Sequence, residues 1–385
     1  NNRAIFVLWA ITGKLDAPGA IYLNAKGLET PKLFEIPEDD KPIGVDEFPL
    51  FYKFSGLGQF SRFPKAVLED EPYPVRGLMI LGGSPVLSFP DSKSWREAYK
   101  KLDCLIVLDR YFTEDARYAD VVFPACSLFE VPKAAPGPEG PHIVEPLIEP
   151  VGESKNDVLI MGAIAKKLGF GDKLPQTEEE LRSWLLSGTA PYAGDFGTSA
   201  DQKKEKHYKK YETGELRADG KPGFPTPSGK LEICSTILEE NGFVPYPEYK
   251  DVRSIPELAG KEYPFTMTSG ARSNNRMGVF GANLDKIAEI EPYPFVDINA
   301  EDAKEIGIKD GDMVKVITPF ADGTFKAKIR GIARHAIHIP HGGGSAYMAE
   351  PWKNGNVNDL CSLDYADPMT GFVLIKSVPC RVEKI

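Results

Sequence analysis

Three kinds of residue in the stretch 76–130 have the types and spacing for chemistry. The pair Gly82-Gly83, followed by Ser84-Pro85, closes an apolar run and lets backbone amides come close to a ligand, because neither residue carries a Cβ. Asp109 ends a second apolar run, residues 104–108, and its carboxylate can accept from two adjacent donors at once. Thr113, ahead of Glu114 and Asp115, reads as a helix N-cap. Elsewhere, His335, His338 and His341 fall within seven residues and invite a metal. In an extended strand, however, that spacing turns His338 to the opposite face from the other two, so a common site is geometrically poor. The five cysteines are widely spaced and contain no CxxC pair. This argues against an iron–sulfur cluster or structural zinc built from this chain and against a disulfide framework.

These groups need elements to position them. Strands that each stop at a small or acidic residue are what an open parallel sheet presents at its carboxyl edge. Helical patterns at 92–102, 113–119 and 156–168 alternate with the apolar runs and predict βαβ units and a mostly parallel sheet. Ala4, Val7, Leu8 and Ile11 predict a short amphipathic helix stopped at Gly13, which looks like a helix of a larger protein cut in mid-domain. Residues 20–75, rich in Pro, Gly and acidic pairs, read as a long surface excursion. A helix at 177–186 precedes the charged run QKKEKHYKKYETGEL, which reads as a solvated face separating two units, and another helix at 235–241 is closed by Gly242. From Tyr263 onward short β segments, a helix at 300–306 capped by Asn299 and a tight Asp310-Gly311 turn predict a closed barrel. A domain boundary is expected at 222/223.

The chain has 385 residues with 42% hydrophobic content, enough for two domains with substantial cores. A formal charge of −10 argues against a general nucleic-acid or anionic-membrane binder, and no run of eighteen apolar residues spans a membrane.

Taken in order, TEDARYADVVFPACSLFE, FPTPSGKLEI, TSGARSNN, INAEDAKEIGIKDGDMVKV, NGNVNDL with DPMTGF, and the closing PCRVEKI resemble the carboxyl-terminal half of the DMSO reductase family of molybdenum and tungsten bis-pterin guanine dinucleotide enzymes. The resemblance covers nearly the whole chain. It implies an α/β dinucleotide-binding domain with a mostly parallel sheet (1–222) followed by a six-stranded double-psi β-barrel (223–385). The cofactor implied is molybdopterin guanine dinucleotide, two per complete enzyme, with molybdenum or tungsten. The metal-ligating residue and any 4Fe-4S cluster are expected in an amino-terminal half not contained in this sequence.

On the residues, the resemblance implies that the Gly82 and Gly83 amides approach a nucleotide phosphate or ribose, with Ser84 where the family usually has Asn. Asp109 is expected to accept from guanine N1–H and its exocyclic amino group, with Asp157 touching the dinucleotide. Thr113 is counted with this group. In the barrel, Thr268, Ser269 and Gly270 match a strand-end loop for pterin and phosphate, with Arg272 or Arg276 as a bidentate phosphate donor. His341 is expected to border the cofactor or substrate funnel, Asn358 to contact a pterin, and Lys376 to be a late basic contact.

The function implied is cofactor seating in an oxidoreductase that transfers an oxygen atom or electrons to or from a small substrate, with an iron–sulfur electron-transfer subunit as partner. The catalytic residues are not identified, and the compartment, cytoplasmic or periplasmic, is open. Alternatives are a non-redox hydratase or transhydroxylase of the same superfamily and a stand-alone cofactor-binding module. An NAD-dependent dehydrogenase ranks last, because no GxGxxG follows a strand with an acidic residue some twenty positions on.

Overall fold

The computed structural model describes residues 2–23, 41–135, 141–187, 208–270, 284–348, 350 and 352–385. Two compact units interleave along the chain: Glu38–Val131 with Ile148–Ile164 and Asp251–Ile385, and Asn1–Pro37 with Pro132–Leu147 and Ala165–Lys250.

The first of these units holds both a sheet and a barrel. Strands β1 (Gly77–Leu81), β2 (Cys104–Asp109) and β3 (Val121–Pro124) form a parallel sheet in that order. Register runs from Gly77 opposite Cys104 to Leu81 opposite Leu108, and from Ile106 opposite Val121 to Asp109 opposite Pro124. In central β2, Leu105, Val107 and Leu108 are buried, as expected of a parallel strand covered on both faces. The helix Ser92–Lys101, capped by the Asp91 side chain on the Ser94 amide, lays Trp95, Ala98 and Tyr99 on the sheet.

Residues 60–69 are not a surface excursion. They form a 3₁₀ turn, Phe60–Arg62, and a helix, Phe63–Glu69, whose Phe63, Ala66 and Val67 are buried. Phe63 stacks on fully buried Trp95 at 5.6 Å. Burial of one such ring contributes about 1.5–3 kcal/mol, enough to hold a segment whose own pattern is too short to announce a helix. Conversely, the helix expected at 113–119 is only the 3₁₀ turn Asp115–Arg117, since the chain must enter β3 at Val121.

The barrel is closed, with neighbours β10-β6-β11-β8-β9-β7. Its strands are β6 (Phe265–Ser269), β7 (Phe295–Asn299), β8 (Met313–Ile317), β9 (Asp322–Arg330), β10 (Ala336–Ile339) and β11 (Lys376–Lys384). Alternate residues point inward: Met267, Val296, Ile298, Val314, Val316, Phe325, Ile337 and Val378 make one core. Asn299 caps the helix Ala300–Glu305 as expected, accepting from the Glu301 and Asp302 amides.

In the other unit, strands β4 (Lys133–Ala135) and β5 (His142–Val144) pair as an antiparallel hairpin. The helix Asn2–Ile11 is present, yet none of its side chains is buried. Lys210, from the run expected to be solvated, is 2% exposed. Its ammonium pairs with the fully buried Asp16 carboxylate and stands 3.8 Å from the Tyr22 ring centre, which is how a lysine is tolerated inside. Among the described residues no helix is long and apolar enough to cross a membrane.

Candidate cofactor-binding site

Parallel pairing brings the ends of β1, β2 and β3 to one edge. Gly82 N–H continues the ladder to Leu108 O at 2.9 Å, and Ala125 N–H does so to Asp109 O at 3.1 Å. A further segment adds beside β3: Lys155 N–H donates to Pro124 O at 3.1 Å and Cys126 N–H to Lys155 O at 3.0 Å. Two residues later Asp157 opens its helix, so its carboxylate arrives close enough to that of Asp109 to be repelled by it.

Both carboxylates are half-buried. Burial raises the Asp109 pKa above the ordinary carboxylate range, opposed by the Tyr111 and Arg110 amides and the Arg110 charge. Burial likewise raises Asp157, the Asp109 charge adding to it. Two desolvated carboxylates at one strand edge suit a ligand edge rich in N–H donors.

Gly82 takes φ +59°, the left-handed region, and a Cβ there would meet nothing within 4 Å, so the space before it is open. Among the described residues the next two amides, Gly83 and Ser84, have no backbone acceptor. The Ser84 hydroxyl turns inward and donates to the buried Asp115 carboxylate. Thr113 accepts from the Ala116 amide at 3.3 Å, the geometry of a cap.

The barrel contributes the ends of β6 and β10 and the start of β11. Thr268 lies between His338 and Lys376 in register, and Lys376 Cε is 3.8 Å from where a Cβ of Gly270 would be. Ser269 is buried, its hydroxyl donating to Ile375 O at 2.9 Å. The histidines diverge: His335 is 3.8 Å from Asp302, His338 Nδ1 is 3.0 Å from Asp297 Oδ2, and His341 starts the loop after β10. Arg272 and Arg276 lie outside the described residues.

The loop from His341 to Asn358 joins this end of the barrel to the sheet. Gly343 and Gly344 take φ +102° and +96°, where a Cβ would stand 2.8 Å from Gly355 O and 2.7 Å from Asn356 Cβ, so only glycine fits. The Ala346 amide donates to Glu114 Oε2 at 3.1 Å, and the Tyr347 ring meets Phe112 edge-on at 5.0 Å. Met348 and Trp352 are buried in the same cluster as Trp95. Asn356 Nδ2 donates to Ser92 Oγ at 3.0 Å, and Asn358 Nδ2 to Leu87 O at 2.7 Å. Asn358 is 4% exposed, so its amide nitrogen ties the seam together. Because Phe112 and Glu114 closely follow Asp109, and Leu87 closely follows Gly83, the barrel end meets the carboxyl edge of the sheet.

Comparison with known proteins fits this geometry. Residues 59–167 match the model described as molybdopterin oxidoreductase, and residues 266–379 match the molydopterin dinucleotide binding domain. The chain belongs to the DMSO reductase family of molybdopterin enzymes. It is 31% identical over 332 residues to the probable oxidoreductase YoaE of Bacillus subtilis, covering 82% of this chain and 44% of that protein. It is 30% identical over 285 residues to the F420-dependent formate dehydrogenase subunit alpha of Methanocaldococcus jannaschii, covering 71% and 39%. The solved acetylene hydratase from Pelobacter acetylenicus shares the fold at TM-score 0.70 and 22% identity, over 89% of this chain and 52% of that one. The chain thus spans about half the length of the relatives it matches. Molybdopterin guanine dinucleotide, with molybdenum or tungsten, is the cofactor these two domains belong to.

Sequence reasoning missed Glu114 and Asp115 as frame residues. Both are buried, Glu114 bonded to Arg117 at 2.9 Å and to the Ala346 amide, but consecutive acidic residues after a cap residue signal only a first helical turn.

Proposed function

We propose that this chain seats the dinucleotide ends of a molybdenum or tungsten bis-pterin cofactor in an oxidoreductase that transfers an oxygen atom or electrons to or from a small substrate. The observation carrying this reading is one shared edge: Gly82-Gly83, Asp109 and Asp157 lie at the strand ends, and the loop His341 to Asn358 fastens the barrel end to that same edge. Asp109 would take guanine N1–H and the exocyclic amino group, with Asp157 beside it. Among the described residues the Gly83 and Ser84 amides have no backbone acceptor, which suits them to a phosphate or ribose oxygen, and the open space before Gly82 admits the ligand. Thr268, Gly270, His341 and Lys376 would line the barrel end for pterin and phosphate, joined by Arg272 or Arg276. Ser84, Ser269 and Asn358, whose hydroxyls or amide nitrogen are engaged within the protein, hold the backbone of the site, as Thr113 does by capping.

When bound, the cofactor supplies the redox-active metal and its dithiolene ligands; the protein supplies position, hydrogen bonds and exclusion of water. The parallel pairs β10·β6 and β7·β9 inside an otherwise antiparallel barrel favour the double-psi type, and a division at 222/223 remains our domain boundary. The relative named as a subunit alpha favours a multi-subunit assembly with an electron-transfer partner. Because the fold is shared with acetylene hydratase, fold alone does not choose redox over hydration. Two relatives of at least 30% identity named as an oxidoreductase and a formate dehydrogenase favour redox.

The test is elemental and nucleotide analysis of the complete active polypeptide that carries this chain. Molybdenum or tungsten together with GMP released by acid hydrolysis is expected; active protein with neither would overturn the reading.

A further inference from the structure

We propose that Asp115 is the positioning residue of the ligand-facing glycine turn, holding Gly82 to Ser84 at the sheet edge through the Ser84 hydroxyl and the Val86 amide. This rests on the cofactor-seating reading and adds to it the group that sets where the free amides stand.

Asp115 is fully buried and gathers three donors onto one carboxylate: Ser84 Oγ–H on Oδ2, with Val86 N–H at 3.1 Å and Tyr99 O–H at 2.8 Å on Oδ1. Two of the three come from either side of Pro85, the exit of the turn. Asp115 itself begins the 3₁₀ turn six residues after Asp109. One side chain therefore ties the turn after β1 to the turn after β2, the two places from which a guanine dinucleotide would be held. The Ser84 side chain is anchored behind while its own N–H, with that of Gly83, has no backbone acceptor among the described residues.

A carboxylate is a costly choice if stability were the only demand. Burial pushes the Asp115 pKa up despite the hydrogen bonds from Ser84, Tyr99 and Val86. A buried charge carries a desolvation penalty of several kcal/mol, and well-packed apolar groups usually serve stability better. Three convergent donors instead specify geometry, which an apolar side chain cannot do. Tyr99 is committed to the same network, its phenol pushed far above the usual range by burial and by the Asp115 charge.

The experiment compares Asp115→Ala, Asp115→Asn and Ser84→Ala in the complete loaded protein. It measures GMP equivalents retained through gel filtration and hydrogen–deuterium exchange at residues 83–86. In Asp115→Asn, Oδ1 keeps Val86 and Tyr99 as donors and Nδ2 donates to Ser84 Oγ, so the turn keeps its place. The expected result is about tenfold faster loss of nucleotide in Asp115→Ala, a several-fold loss in Ser84→Ala, and Asp115→Asn within about twofold of wild type. Exchange at 83–86 should rise in the same order. Should Asp115→Ala fail to fold, Ser84→Ala carries the test. Wild-type retention and exchange in Ser84→Ala, or an Asn variant as impaired as the Ala one, would overturn the proposal. Wild-type protein that yields no guanine nucleotide would sink the seating reading instead, and the exchange arm would still decide the positioning role.

Discussion

Asp109→Asn separates the stability of the site from its function. In the folded protein Asp109 and Asp157 are both held above the ordinary carboxylate range, first by burial. A group whose folded pKa is raised favours the fold below its unfolded pKa, and that advantage is lost as pH rises through the folded value. Both carboxylates are thus desolvated in their charged form, with the Asp109 charge acting on Asp157 and the Arg110 charge opposing the rise at each. Replacing one by an amide removes the repulsion while its carbonyl still accepts the Tyr111 amide, which reaches Asp109 Oδ1 at 3.0 Å. The variant should melt at or slightly above wild type at pH 7, with a flatter loss of stability between mildly acidic and neutral pH. Binding should move the other way. An amide presents one acceptor and one donor to a guanine edge that offers two donors, so one charge-assisted bond is lost, worth about 1.5–3 kcal/mol, or roughly ten- to a hundredfold in affinity. Differential scanning fluorimetry across pH and GMP retention through gel filtration read the two effects separately. Wild-type nucleotide retention in Asp109→Asn, or a melting point several degrees lower at pH 7, would refute this reasoning.

Gly343→Ala forces a Cβ to 2.8 Å from Gly355 O at φ +102°, so the loop must shift; a loss of about 1–3 kcal/mol or more is expected in chemical denaturation. A midpoint unchanged from wild type would show that the loop is not held as described. Asn358→Ala leaves Leu87 O buried without its donor and should cost about 1–3 kcal/mol, with hydrogen exchange rising at 87–91 before the barrel strands respond. Lys210→Met leaves Asp16 buried without its cation, a loss of about 3–5 kcal/mol. For Asp16 itself burial acts to raise the pKa, but bonds from the Lys210 ammonium and the Lys210 and Leu23 amides outweigh it and lower the pKa overall. In wild type its contribution is present above the ordinary carboxylate range and lost as pH falls through the depressed value, so the stability gap between wild type and Lys210→Met should be widest near neutral pH and narrow on acidification.

What the sequence made legible is what depends on near neighbours. β1 and β2 announce themselves as short apolar runs that stop at Gly82 and Asp109, and the Asn299 cap is visible because the amides it accepts from lie only two and three residues on. The helix Phe63–Glu69 was not legible, because what holds it is Trp95, some thirty residues on. Trp352 and Met348 are more remote still, joining the sheet-side core from beyond β10. Buried charge was hidden for a different reason. Glu114, Asp115 and Lys210 are residue types that default to solvent, and their burial depends on partners, Ala346, Ser84 and Asp16, that no local pattern connects to them. Ser84 shows the limit within the site itself: the sequence puts a serine where the family usually has Asn, and no local pattern reveals that the fold commits its hydroxyl to Asp115, while among the described residues its amide has no backbone acceptor.

Two sets of polar groups in the sheet and barrel differ in how deeply they are buried. Those of the frame, Glu114, Asp115, Asn356 and Asn358, are buried and bonded within the protein, so they fix one arrangement of the barrel end on the strand ends. Those of the edge, Asp109 and Asp157, are half-buried at the strand ends, where burial raises both pKa values and the Asp109 charge adds to the rise at Asp157 against the Arg110 charge. A satisfied frame around a strained edge stores the capacity to bind where a donor-rich ligand can relieve it. Occupancy then stabilises the fold through mass action, by about 2.7 kcal/mol at a hundredfold excess over Kd. On that argument the melting point of loaded protein should exceed that of ligand-free protein, and the gain should shrink in Asp109→Asn, which has less to be relieved and less with which to hold the ligand.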